Sequence, residues 1–344
     1  MLTAWRAALR GRRDALLLGL AALLLGATFL RPSLPLTRTQ VDAVAVIDIT
    51  QSMNVPDGAS PTAGPPVARL AAAKAALARV VEQLPCGSRL GLGVFTEYRT
   101  LLLLTPIEVC EHQQELQGTL TLMDGRMAWA GASEIAKGVN SGMETVKALP
   151  EGPALLFLTD GHESPPLNPR YRPNLTVARG EVRGLLVGVG GDEPLPIPKI
   201  GPDGVARGEW QADEVLQIDP RSLGRGGSVG GEQMVEPDEP VVRPLPGVTP
   251  GTEHLSALRE DYLRLLASET GLGYLRLGDP TALREALEGP KLARAAPARL
   301  DLRPVLGAAA LACVLLRLLR RPRTRARPAA PQAGWSPRAM RPQR

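Results

Sequence analysis

The stretch Val41–Met53, VDAVAVIDITQSM, decides how this chain folds. Its short run of Val, Ala and Ile reads as a strand buried on both faces of a parallel sheet. The run ends in Asp48, and two hydroxyls follow at alternate positions, Thr50 and Ser52. The carboxyl end of such a strand presents three oxygen side chains on one loop, the ligand type that hard divalent cations prefer. In open α/β sheets, sites form beyond the carboxyl ends of strands. A second apolar run, Ala154–Thr159, ends the same way, in Asp160 followed by Gly161. Asp, Thr and Ser also cap helices, so the first loop alone has a plain structural reading. The distant strand-Asp-Gly favours a shared site, as does a third element, Gly131-Ala132-Ser133, which opens a predicted helix between them.

Working outward, Val67–Leu84 predicts a helix rich in Ala and Leu. Arg89–Thr96 and Thr100–Leu104 predict a hairpin, Cys110–Met123 a more polar helix, and Ser133–Leu149 a helix with Ser133 as its N-cap. Val182–Val189 predicts a strand, Leu255–Thr270 a helix, Tyr274–Leu277 a strand and Pro280–Leu287 a helix. Alternating strands and helices imply an α/β fold with a mostly parallel sheet covered on both faces. Residues 190–252 break the pattern: they are dense in Gly, Pro and charge, and read as an irregular insert. Cys86 and Cys110 stand at equal distances from Tyr98 on the two hairpin strands. Antiparallel pairing would bring them into disulfide range; two separate small apolar residues are the other reading.

The net charge of +5 over 344 residues suggests a nucleic-acid binder, but its distribution argues against one. Residues 1–14 carry +3 and residues 320–344 carry +8, which leaves −6 for residues 15–319. The basic ends flank two apolar runs, residues 15–30 and 304–319. Arg-rich flanks set membrane orientation. We expect two transmembrane helices, linkers at 31–40 and 291–303, cytoplasmic ends at 1–14 and 320–344, and an extracytoplasmic domain at 41–290. A signal peptide is the rival reading of the first run, although no clean small-x-small cleavage site follows it.

Asp48, Thr50, Ser52, Ser133 and Asp160, in this order, resemble the metal-ion-dependent adhesion site of a von Willebrand factor A (vWA) domain. That family reads D-x-S-x-S after strand one, Thr in a central loop and Asp after strand four. Thr50 and Ser133 exchange one hydroxyl for another, so coordination should survive. The resemblance implies the Rossmann-like vWA sheet with one antiparallel edge strand. It also implies a divalent cation, Mg²⁺ first, with Ca²⁺ or Mn²⁺ as alternatives, and an open ligand position filled by a partner's Asp or Glu. It further implies a short hairpin near Val205–Gln217.

The two anchors around such a domain resemble the bacterial Bat-type proteins of the inner membrane. The phrases DITQSMN (48–54), TDGHESPPLNPRY (159–171), PIPKIGPDGVARGEWQADEV (196–215) and HLSALREDYLRLLASETGLGYL (254–275) are similar to the MxaL-type accessory proteins of methanol-oxidation clusters. That resemblance implies a periplasmic client, methanol dehydrogenase or one of its assembly factors, and a role in its maturation or calcium insertion. The Bat-like alternative implies assembly of respiratory or stress-related complexes with a MoxR-type ATPase. In either case the Arg tail would also touch membrane lipid. Asp57, His162 and Glu163 lie near the site in sequence, as supporting or rim groups or as solvent-exposed loop residues. Trp210 is a candidate partner anchor or a packing residue. A hydrolase built on Asp48, Asp160 and His162 lacks any nucleophile or phosphate-loop motif, so we expect a non-enzyme.

Overall fold

The computed structural model of the chain describes residues 2–60, 64–166, 171–217, 232–234 and 251–319. It divides into two units: residues 37–298, and a smaller one formed by the two ends of the chain. In chain order the elements are α1 (Leu2–Thr28), β1 (Ser33–Gln40), β2 (Asp42–Asp48), α2 (Arg69–Gln83), β3 (Arg89–Thr96), β4 (Arg99–Glu108), α3 (Gln113–Leu122), α4 (Ile135–Ala148) and β5 (Ala154–Thr159). Shorter strands follow: β6 (Tyr171–Pro173), β7 (Gly184–Gly188), β8 (Leu195–Pro196), β9 (Pro198–Ile200), β10 (Ala206–Glu209), β11 (Glu232–Met234) and β12 (Leu255–Ser256). Then come α5 (Glu260–Thr270), β13 (Gly273–Arg276), α6 (Pro280–Glu288), β14 (Arg294–Asp301) and α7 (Arg303–Leu319).

The larger unit is built on a six-stranded sheet of order β13-β7-β5-β2-β3-β4. It is parallel except for the β3–β4 edge pair. β2 lies inside it and is buried at every residue. Its alternate side chains feed two cores, the period of two expected of a strand covered on both faces. Ala43, Ala45 and Ile47 join Leu77 of α2, Leu116 of α3 and Leu283 of α6. Val44 and Val46 join Val139 and Met143 of α4 and Leu263 and Leu266 of α5. From β2 the chain turns first to β3 on one side and later to β5 on the other. The β2/β5 boundary is therefore a topological switch point. The register that sets Ile47 beside Leu158 brings Asp48 level with Thr159 at that point.

α4 approaches the sheet so closely at Gly138 that a Cβ there would stand 2.0 Å from the Phe95 ring. That ring packs in turn on Phe157, with centroids 5.2 Å apart. Gly138→Ala is expected to cost about 1–3 kcal/mol through overpacking. The measurement is the urea midpoint at unchanged m-value; a wild-type midpoint would show that α4 can shift off the sheet without penalty.

Several elements differ from the sequence reading. The expected linkers at 31–40 and 291–303 contain β1 and β14, which pair as a two-stranded ribbon. Residues 255–259 are not helical. β12 pairs with β8, the Leu258 N–H donates to Gly191 and the Arg259 N–H to Asp160, so these donors are taken by other loops. The expected hairpin near Val205–Gln217 lies earlier, as β9 with β10. α4 starts two residues after Ser133, which does not cap it. The insert segments 218–231 and 235–250 and the Arg-rich tail 320–344 lie outside the described residues. Cys86 and Cys110 are joined by a disulfide, with Cα atoms 5.4 Å apart.

Both expected membrane segments are helical, but among the described residues no helix is long and apolar enough to cross a membrane. The reason is length. α7 has 17 residues, about 26 Å at 1.5 Å per residue, against a hydrocarbon core of about 30 Å. α1 runs to 27 residues, but the Arg-rich start and Asp14 precede its apolar part. Within the smaller unit α1 and α7 pack against each other, and Leu16, Leu23, Val305, Leu311 and Leu319 remain exposed.

Candidate metal centre

The carboxyl ends of β2 and β5 converge on a group of buried oxygens. Asp48 is fully buried. Its Oδ1 accepts from the Thr50 N–H at 2.9 Å and the Thr50 hydroxyl at 2.7 Å, and its Oδ2 accepts from the Thr159 hydroxyl at 2.7 Å. The Thr50 and Ser52 hydroxyls lie 3.3 Å apart. Asp160 Oδ1 accepts from the His162 N–H. Ser133 reaches the same cavity from the loop before α4, held by paired backbone hydrogen bonds to Ser164. Ser133 is 2% exposed, and its hydroxyl has no hydrogen-bond partner among the described residues. The structure thus brings together Asp48, Thr50, Ser52, Ser133 and Asp160, from three loops.

Arg69 completes the group, and the sequence reading does not anticipate it. It is the first residue of α2 and is fully buried. Its Nη1 donates to Asp160 Oδ2 at 2.5 Å and to the Ser256 hydroxyl at 2.6 Å. Its Nε and Nη2 clamp Asp57 at 2.7 Å each. Burial opposes the charge, yet Asp57 and Asp160 hold the guanidinium protonated. Asp57 therefore reaches the site only through Arg69, while its other contact is the Gly191 N–H. A cation at a helix N-terminus is normally unfavourable because it meets the positive end of the dipole. That anomaly is the available signal that Arg69 has acidic partners.

The two central carboxylates differ. Burial, helped by the neighbouring Asp160 charge, pushes the Asp48 carboxyl up to about 7 against its Thr159 and Thr50 hydrogen bonds. Burial acts on Asp160 too, but Arg69 and its hydrogen bonds hold it below the usual carboxylate range. Burial drives His162 down to about 4, so the imidazole is neutral at physiological pH. Its 3.9 Å approach to Glu253 is then no ion pair. His162, expected at the rim or surface, is instead 4% exposed and lines the cavity.

Glu163 is buried as well. Its two oxygens accept from the Ile135 and Ala136 N–H groups, and one also accepts from the Tyr262 hydroxyl. It caps α4 from a distant loop, the service expected of Ser133, and so leaves Ser133 free for the site. Burial nevertheless pushes the Glu163 carboxyl up to about 7. A folded-state pKa above the ordinary 4.5 stabilises the fold fully below that value, and this contribution is lost as pH rises through about 7. Glu163→Gln is expected to flatten the alkaline fall in Tm between about pH 5 and 8. A slope equal to wild type would show that Glu163 is not a source of it.

The donor set fits a hard divalent cation: three hydroxyls, one of them orphaned, over two buried carboxylates. Thr50, Ser52 and Ser133 open to one cavity, which leaves room for water or an external ligand. A second cluster, Cys86, Glu108 and Cys110, also lies together. Its cysteines are bonded to each other, so they offer no thiolate to a metal.

Residues 43–162 match the sequence model of the family described as von Willebrand factor type A domain. No curated protein matches the chain. Among solved structures, the chain is similar to an aerotolerance-related membrane protein from Bacteroides fragilis NCTC 9343. The identity is 16%, over 72% of this chain and 96% of that one, with a TM-score of 0.45. BatB from Bacteroides thetaiotaomicron is 18% identical over 72% of this chain and 95% of its own, with a TM-score of 0.44. A membrane-spanning protein from Vibrio fischeri is 19% identical over 71% of this chain and 94% of its own, with a TM-score of 0.26. The loops that gather Asp48, Ser133 and Asp160 all fall within the residues that match the von Willebrand factor type A domain model.

Proposed function

We propose that the domain binds a divalent cation, Mg²⁺ by preference, through Thr50, Ser52 and Ser133. Asp48 and Asp160 balance its charge, and an acidic side chain of a protein client completes the coordination. One observation carries this reading: the buried Ser133 hydroxyl has no hydrogen-bond partner among the described residues and opens to the cavity that Thr50 and Ser52 line. Arg69 is shared between Asp57 and Asp160, so a divalent cation offsets the negative charge that remains on the group, and an open ligand position is left for an anionic side chain. Mg²⁺ demands octahedral oxygen ligands and retains exchangeable waters, which suits an exchangeable client carboxylate. Binding rather than catalysis is its proposed task.

We place the domain outside the cytoplasm. The disulfide suits an oxidising compartment, and the exposed apolar faces of α1 and α7 suit lipid contact. Short helices are accommodated by local bilayer thinning and by snorkelling of residues such as Arg317. The proposed topology is a two-pass inner-membrane protein with both basic ends in the cytoplasm.

The proposed client is methanol dehydrogenase or one of its assembly factors, because four phrases of the sequence are similar to the MxaL-type accessory proteins. The test is affinity capture from native membranes, wild type beside Asp48→Ala, with Mg²⁺ or with EDTA. Recovery of the dehydrogenase or its assembly factors by wild type with Mg²⁺ alone is the expected result. Metal-dependent recovery of respiratory or stress complexes would instead favour the Bat-like scaffold. Identical partners in every arm would remove the metal site from client binding.

A further inference from the structure

The cavity above the hydroxyls does not stop at them. It extends to about 270 Å³, just below the roughly 300–1,000 Å³ of small-molecule sites. Its polar end is Thr50, Ser52 and Ser133; its far wall is Ile197, Trp210, Val215 and Leu216. That wall comes from the stretch after β7. It is fixed to the metal loop where the Ile200 N–H donates to Gln51 Oε1 at 3.3 Å. It is braced from within: the Trp210 backbone N–H donates to the Ile197 carbonyl at 3.0 Å, and Lys199 lies 5.0 Å from the centre of the Trp210 ring. Lys199 also pairs with Glu214, so this acid at the cavity edge is neutralised. Leu216 is 54% exposed at the mouth. The buried Trp210 indole N–H and the His162 Nδ1 have no partner among the described residues.

We infer that this wall is a second subsite, selecting a client segment in which an Asp or Glu stands next to a large apolar side chain. The inference rests on the metal-docking reading and adds a preference for the residue beside the carboxylate. The acid goes to the polar end, where the cation and Arg69 together balance Asp48, Asp57 and Asp160 and the cation's open position can take it. The apolar neighbour then meets Ile197, Trp210, Val215 and Leu216, in a space sized for one or two side chains rather than for a cofactor. The free indole N–H supplies a donor for a backbone carbonyl of the same segment. A tryptophan held rigid by a cation and a backbone bond is suited to serve as a binding anchor.

The test uses the full chain in detergent, panned with a random library of short peptides in Mg²⁺ and in EDTA. The expected outcome is Mg²⁺-dependent enrichment of an acid adjacent to Leu, Ile, Phe or Trp. Trp210→Ala and the surface variant Leu216→Ser should each weaken the enriched peptide about tenfold. Neither should weaken a peptide carrying the acid beside Ser, and Mg²⁺ affinity should stay at the wild-type value. Because Leu216 is exposed, its variant tests the wall even if Trp210→Ala perturbs folding. Acid enrichment in Mg²⁺ without any apolar preference would overturn the subsite and leave metal docking standing. Enrichment that ignores both acid and Mg²⁺ would overturn the docking reading itself, and this inference with it.

Discussion

Arg69→Met is expected to destabilise the larger unit by about 3–5 kcal/mol, the cost of deleting one partner of a buried ion pair. In a unit of this size that corresponds to a fall of roughly 10 °C in Tm. Methionine keeps the length of the side chain but leaves Asp160 buried without its cation and leaves Asp57 unclamped. The same change makes the site more negative. Mg²⁺ should therefore bind more tightly, and a ligand that binds only the folded state raises stability by mass action. The variant should show a larger Mg²⁺-dependent rise in Tm than wild type. Thermal scans of the full chain with Mg²⁺ and with EDTA give both quantities. A wild-type Tm in EDTA would show that Arg69 is not the counter-charge. A low Tm that Mg²⁺ does not lift would show that the site takes no cation.

Asp48→Asn is expected to lose Mg²⁺ binding by more than about 100-fold while the apo domain stays folded. Removing groups that only orient a ligand already costs about 10–100-fold in metal affinity, and Asp48 is the one of the two central carboxylates without a cationic partner. Asparagine retains an acceptor for the Thr50 hydrogen bonds and removes a charge whose burial beside Asp160 is unfavourable. At mildly alkaline pH the variant should match or exceed wild type in Tm with EDTA and show no Mg²⁺ response. Calorimetric titration with Mg²⁺ is the direct check. Wild-type affinity in this variant would remove Asp48 from the cation site, and collapse of the apo fold would assign it a structural role.

The parts of the molecule legible in the sequence are those with local signals. β2 and β5 announce themselves by short apolar runs with an aspartate at the carboxyl end. Thr50, Ser52 and Ser133 can be read because a family pattern tolerates hydroxyl exchange. Arg69 cannot be read in this way: it opens an Ala-rich helix, and its partners Asp160 and Ser256 stand 91 and 187 residues away. Glu163 reads as a loop acid because nothing near it in sequence shows that it meets the start of α4. β1 escapes the sequence reading for another reason. Its residues SLPLTRTQ are almost all exposed, so no buried face imposes the alternation that marks a strand. The sequence starts α5 too early because Leu255–Arg259 has helical composition, yet its backbone is drawn into pairing with β8 and the site loops.

The ribbon of β1 with β14 has an engineering consequence. The polypeptide that builds the sheet begins and finishes on neighbouring, hydrogen-bonded strands, so residues 33–301 form a cassette with adjacent ends. Such modules tolerate transplantation and circular permutation. Spliced into a surface hairpin of an unrelated carrier, the cassette would keep the pairing that closes it while leaving both helical ends behind. The cavity beside Thr50, Ser52 and Ser133 would then travel with it as a graftable module.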